Sequence, residues 1–226
     1  MDAVIVDLDG TMVDTLGDFD AALNATLRDL DRPTVARTDI ERMVGKGSMH
    51  LLRSALAHGG LDGPSVATVL DSAWAHYQRH YRAVNGQHSE VYPGVVEGLV
   101  ALRKQGLRLA CLTNKPLAFA RELLRTKALD VHFAQVFGGD SFARSKPDPL
   151  PVIETCRALA SAPARTLVVG DSLNDAQAAR GAGCPVVLVS YGYNHGAPVH
   201  DAGADAVVDR LDALPAWLGS VDRRPQ

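Results

Sequence analysis

The run Ala3-Val4-Ile5-Val6, followed at once by Asp7-Leu8-Asp9-Gly10-Thr11, constrains the fold of this chain more than any other stretch. Consecutive apolar, mostly β-branched residues read as a strand buried on both faces, the environment of an inner strand in a parallel sheet. Asp7 and Asp9 stand two residues apart, so they share a face while the chain stays extended, and Gly10 ends that extension. Open parallel sheets bind ligands beyond the carboxyl ends of their strands. Two acids at such an end are either an ordinary closing turn or the start of a site.

The rest of the chain supplies the sheet. From Pro93 onward, helical and strand patterns alternate: helices over 95–105, 117–126, 149–159 and 174–182, strands over 107–113, 136–137, 166–169, 186–189 and 206–208, then a closing helix. Such alternation implies a doubly wound parallel sheet covered on both faces, an α/β Rossmann-like core. Between the first strand and Pro93 the pattern is helical instead, over 14–30, 38–44, 48–57 and 65–81, with Thr38 and Glu41 spaced as a capping box and no convincing strand. The expected organisation is a core of residues 1–15 and 91–226 with an all-helical cap at 16–90, and a frayed tail at 222–226.

With 226 residues and a net charge of −3, the chain has no global attraction to nucleic acid or to anionic membranes. No apolar run reaches the roughly 20 residues of a membrane helix. Cys111, Cys156 and Cys184 are odd in number and widely spaced, so buried thiols in a reducing cytoplasm are expected. The expected assembly is a monomer or a homodimer, with a small phosphorylated metabolite as partner.

That last expectation comes from the strand ends. The strand over 107–113 runs into Thr113-Asn114-Lys115-Pro116, the strand over 166–169 into Gly170-Asp171-Ser172-Leu173-Asn174-Asp175, and Ser145-Lys146-Pro147-Asp148-Pro149 precedes a helix. In a parallel sheet these ends face one way, gathering Asp7, Asp9, Thr113, Asn114, Lys146, Asp171 and Asp175 at one edge. Four carboxylates in one crevice repel unless cations join them. Lys146 is one cation, and Mg²⁺, which takes one or two carboxylates and substrate phosphate, fits as the other. Asp carboxylates also act as covalent nucleophiles towards phosphorus.

These four stretches resemble, in order, the four motifs of the haloacid dehalogenase superfamily, and the helical insert sits where that family carries its cap. Within it, Thr113-Asn114-Lys115-Pro116, Lys146-Pro147-Asp148-Pro149 and Tyr191-Gly192-Tyr193-Asn194 are similar to the bacterial phosphoglycolate phosphatases. The resemblance implies Asp7 as nucleophile and Asp9 as general acid and base, with Lys146 neutralising charge and Asp175 holding Lys146 or a metal-bound water. It implies Mg²⁺ on the Asp7 carboxylate, the Asp9 carbonyl and Asp171, and phosphoryl contacts from Thr113 and the Asn114 amide, with Gly10 beside them. A carboxylate at position 9 favours phosphate esters over halide or phosphonate substrates. A sugar-phosphate mutase and a broad-specificity phosphatase remain open alternatives.

In the insert, Gly45-Lys46-Gly47 joins two helices, and Lys46 is the expected grip for a second negative group on the substrate, such as a carboxylate. His76 and His80 have metal-ligand spacing, but no third ligand stands near them in sequence, so a solvated helix face is expected. The same is expected of Arg121, Arg125 and Lys127. Residues 191–194 either line the pocket or form a turn, and Trp74 and Trp217 are expected to pack.

Overall fold

The computed structural model describes residues 1–221; the tail at 222–226 lies outside them. Six parallel strands form the main sheet: β1 (Ala3–Val6), β4 (Arg108–Leu112), β5 (Gln135–Phe137), β6 (Thr166–Gly170), β7 (Val186–Val189) and β8 (Ala206–Val208), in the order β5-β4-β1-β6-β7-β8. β1 is therefore an inner strand, as its unbroken apolar run requires. Its side chains alternate between two cores: Val4 and Val6 pack with Leu99, Leu102, Leu123 and Leu124 on one face, and Ala3 and Ile5 with Val152, Cys156 and Ala179 on the other. The first face is covered by α5 (Val95–Lys104), α6 (Leu117–Thr126) and α9 (Leu214–Val221), the second by α7 (Leu150–Ala158) and α8 (Leu173–Ala182). After β5 the chain crosses to the other side of β1 to form β6, so the topological switch point lies at β1 and opens a crevice beyond Val6.

Four helices intervene after the first strand: α1 (Leu16–Asp29), α2 (Arg37–Met43), α3 (Ser48–His58) and α4 (Gly63–Val84). They bury a core of their own, including Phe19, Leu23, Leu27, Ile40, Leu52, Leu56, Tyr77 and Tyr81. Each fully buried leucine of that set contributes about 1.5–3 kcal/mol. Trp74 packs against this cluster and Trp217 against the sheet core.

Several helix starts differ from the sequence pattern. α2 begins at Arg37 behind Ala36 with no side-chain cap, so Thr38 lies inside the helix and its spacing to Glu41 forms no capping box. α4 begins two residues early because the Asp62 carboxylate accepts the Ser65 N–H at 2.9 Å. Ser48 is the first helical residue of α3, behind Gly47, rather than its cap. The insert leaves and re-enters the core through a ribbon invisible in sequence, β2 (Val13–Asp14) antiparallel to β3 (Glu90–Val91); two residues are too few to show a period. Lys127 is not merely solvated: its ammonium bonds the Gly86 and Ser89 carbonyls at 2.9 and 2.5 Å, tying the return segment to α6. Among the described residues no helix is long and apolar enough to cross a membrane. The three cysteines are free and buried.

Candidate active site

The carboxyl ends of β1, β4 and β6 bring Asp7, Thr113 and Asp171 together, and the loop after β5 adds Lys146. Lys146 Nζ donates to Asp175 Oδ1 at 2.6 Å and to the Leu112 carbonyl at 2.9 Å, and lies 3.0 Å from Asp7 Oδ1. That last contact is an ion pair, and Asp7 Oδ1 is buried with no further partner. Asp175 is also the true capping-box residue of the chain. Its Oδ2 accepts the Ser172 hydroxyl and N–H at the start of α8, at 2.9 and 3.2 Å.

Oxygens of Asp7, Asp171 and Asp175 lie within 4.8 Å of one another. Burial, with repulsion from Asp175 and Asp7, raises the Asp171 carboxyl well above the carboxylate range. Burial likewise lifts Asp7 to about 7, with Lys146 opposing and Asp175 and Asp9 adding to the rise. Burial alone would depress Lys146, but Asp175 and Asp7 outweigh it and hold the ammonium above the usual lysine range.

Asp9 points elsewhere. Its carboxylate receives Lys115 Nζ at 2.7 and 3.0 Å and does not join the Asp7 cluster, so only its backbone carbonyl remains for a cation there. Lys115 is a site-lining residue to which sequence reasoning gave no role; its signal was a second cation on the same rim, two residues beyond Thr113. The Phe19 and Tyr81 rings of the insert lie over its ammonium, with centroids at 4.5 and 4.9 Å.

Around this centre four carboxylates, of Asp7, Asp9, Asp171 and Asp175, face two ammonium groups, of Lys115 and Lys146. With all four ionised, the residual double negative charge matches one divalent cation. Together with the all-oxygen donor set, this fits Mg²⁺ on Asp7 and Asp171.

A cavity opens above the centre. Asp7, Asp9, Thr113, Asn114 and Lys115 form its floor; Phe19, Val44, Gly45, Gly47, Ser48 and Leu51 of the insert form its roof. The Asn114 side-chain amide fastens the two halves. It donates to the Gly45 carbonyl at 3.0 Å and the Lys146 carbonyl at 2.8 Å and accepts the Lys146 N–H at 3.0 Å. This leaves the backbone N–H, not the side chain, of Asn114 as the group to offer a phosphoryl oxygen. Asn174 also donates to the Gly45 carbonyl, at 3.2 Å.

Two expected substrate contacts are not where sequence put them. Lys46 is exposed and lies outside the cavity lining, because Gly45 and Gly47 take φ of +105° and +90° and the loop they shape turns Lys46 outward. Gly10 also lies outside the lining. At φ +80° it packs against Asp171, where a Cβ would stand 2.1 Å from Oδ2, so its role is to make room for that carboxylate. Residues 191–194 support the site from behind. The Tyr193 N–H donates to Asp171 Oδ2 at 2.6 Å, and the Tyr193 hydroxyl bonds Asp14 and accepts the Thr15 and Leu16 N–H groups at the start of α1.

Comparison with known proteins agrees with this architecture. A model of haloacid dehalogenase-like hydrolases matches residues 1–183. A phosphoglycolate phosphatase of Thiobacillus denitrificans is 42% identical over 209 residues, covering 92% of each chain. One of Nitrosospira multiformis is 44% identical, again over 92% of each. The crystal structure of a predicted phosphoglycolate phosphatase from Haemophilus somnus superposes with a TM-score of 0.89 at 30% identity, covering 96% of this chain and 98% of that one.

Proposed function

The chain belongs to the haloacid dehalogenase-like hydrolases, and from that premise we propose a Mg²⁺-dependent phosphatase that converts 2-phosphoglycolate to glycolate and phosphate through an aspartyl phosphate. The observation that carries the reading is the buried cluster of Asp7, Asp171 and Asp175 around the Lys146 ammonium, beneath a cavity roofed by the insert. The name shared by the relatives supports the same substrate.

In this reading residues 1–15 and 91–226 are the catalytic core and 16–90 the cap that closes over it. The insert's own hydrophobic cluster, which the core enters through Phe119 and Tyr193, and the two-residue ribbon between them support the division. An Asp7 carboxylate oxygen attacks phosphorus and the ester P–O bond breaks, its electrons leaving with the alkoxide, which takes a proton from Asp9. A water then attacks phosphorus, Asp9 receives its proton, and the Asp7–phosphorus bond breaks to free phosphate. Lys115 keeps the Asp9 carboxylate aimed into the cavity, apart from the metal cluster. Thr113 and the Asn114 N–H bind phosphoryl oxygens, Lys146 offsets charge on Asp7 and phosphate, and Asp175 holds Lys146 in place. Mg²⁺ on Asp7, Asp171 and the Asp9 carbonyl would neutralise phosphoryl charge.

The substrate carboxylate faces the first turn of α3, where the helix dipole favours an anion. Ser48 lies there and lines the cavity, with the buried Tyr77 hydroxyl against its side chain. Free, buried thiols are compatible with a reducing compartment such as the cytoplasm.

Phosphate release from 2-phosphoglycolate, sugar phosphates, nucleotides, pyrophosphate and p-nitrophenyl phosphate tests the substrate. A lead in kcat/KM of tenfold or more for 2-phosphoglycolate, about 1.4 kcal/mol, is expected. Flat activity across the panel would reduce the reading to a general phosphatase, and isomerisation of a sugar phosphate with little phosphate released would replace it with a mutase.

A further inference from the structure

The outer face of the helical insert carries a second cluster of ligand-type side chains. His76 and His80 stand one turn apart on α4, and the third group that their spacing in sequence conceals is Asp29, the last residue of α1. Asp29 Oδ2 lies 3.0 Å from His76 Nδ1 and 2.7 Å from His80 Nε2. None of the three lines the catalytic cavity. We propose that Asp29, His76 and His80 form a transition-metal site, for Zn²⁺ or a similar borderline cation, that clamps the end of α1 to α4.

The geometry is near what such an ion needs. Bonds of about 2.0–2.1 Å at a tetrahedral angle separate ligand atoms by roughly 3.3 Å. The two Asp29–histidine separations must therefore open by a few tenths of an ångström, and all three side chains are partly exposed and free to adjust. Two imidazoles and one carboxylate favour zinc, copper or nickel over magnesium, which takes oxygen ligands. A water would complete the tetrahedron.

The structure also shows what competes for the place. Arg79 Nη2 contacts all three ligand atoms, at 2.5 Å from Asp29 Oδ2, 3.1 Å from His76 Nδ1 and 3.4 Å from His80 Nε2. A cationic group thus already sits where a metal would. Its side chain is 63% exposed, so it can swing into solvent, and an exposed ion pair of this kind is a weak competitor. Helices α1 and α4 pack along most of their length and share the core of Phe19, Leu23, Tyr77 and Tyr81. A metal bridging them stabilises the folded insert by mass action.

The test is Zn²⁺ titration of the intact protein at pH 7.5 with saturating Mg²⁺, read by competition with a chromophoric chelator and by thermal unfolding. The wild type is expected to bind one Zn²⁺ with Kd of about 10 µM or tighter and to melt higher with it. His76→Ala/His80→Ala should weaken that binding at least tenfold and abolish the melting shift, with Mg²⁺-dependent phosphatase activity retained, and Asp29→Asn should weaken it in the same direction. Arg79→Ala should tighten binding up to roughly fivefold. Wild-type affinity weaker than about 100 µM, or binding undiminished in the double variant, would overturn the site.

Discussion

Lys115 donates to both carboxylate oxygens of Asp9, at 2.7 and 3.0 Å, and is itself covered by Phe19 and Tyr81 from the other side of the cavity. One ammonium thus links the acid of the catalytic turn to closure of the helical roof. Removing one partner of a buried ion pair strands the other, at about 3–5 kcal/mol. Lys115→Met should lower unfolding stability by that order and kcat by about 10²-fold or more, the range of a displaced general acid. Steady-state kinetics beside urea unfolding checks both; wild-type kcat would show that Asp9 needs no such partner.

Lys46 is exposed outside the cavity, whereas Ser48 is buried and lines it, so the two make opposite demands on specificity. Ser48→Ala should raise KM for 2-phosphoglycolate about tenfold and leave p-nitrophenyl phosphate nearly unchanged, since only the former has a second anion to hydrogen-bond. Lys46→Ala should change either KM by less than about threefold, the weak influence of a screened surface charge. KM values for both substrates decide it, and the reverse ranking would return the grip to Lys46.

Gly10 and Asp171 are in tight contact: a Cβ at position 10 would stand 2.1 Å from Asp171 Oδ2. Gly10→Ala should displace that carboxylate and weaken Mg²⁺ binding at least tenfold, as loss of ligand orientation does at metal sites. Calorimetric titration with Mg²⁺ measures this, and an unchanged affinity would mean that Asp171 is not a ligand.

The raised Asp7 carboxyl predicts the pH dependence of metal stabilisation. An Asp at about 7 in the folded state and about 3.9 unfolded keeps its proton longer when folded. Its contribution to metal-free stability therefore falls as pH rises through that window, and above it the penalty is complete. Mg²⁺ binds the ionised cluster, so the rise in Tm that it causes should be small at pH 5 and large at pH 8. Scanning calorimetry with Mg²⁺ or chelator at both values reads it; equal shifts would contradict the assignment.

What sequence revealed and what it hid divide along physical lines. β1, β7 and β8 were legible because apolar runs between turns leave little else to form. The gathering of Asp7, Thr113, Lys146, Asp171 and Asp175 followed from parallel strand ends facing one way. The β2–β3 ribbon, the Lys115–Asp9 pair, the Asn114 bond to Gly45 and the approach of Asp29 to His76 each depend on where distant segments meet. Lys46 failed for a local reason: residue type gave its charge, but the glycines on either side set its direction.

The central claim is that Asp7 is the nucleophile. Asp7→Asn preserves shape and removes the attacking charge, so its phosphate release from 2-phosphoglycolate with Mg²⁺, beside wild type and with the fold checked by circular dichroism, is the most direct measurement. A loss of about 10⁴-fold or more is the predicted result. Activity within tenfold of wild type would contradict the account.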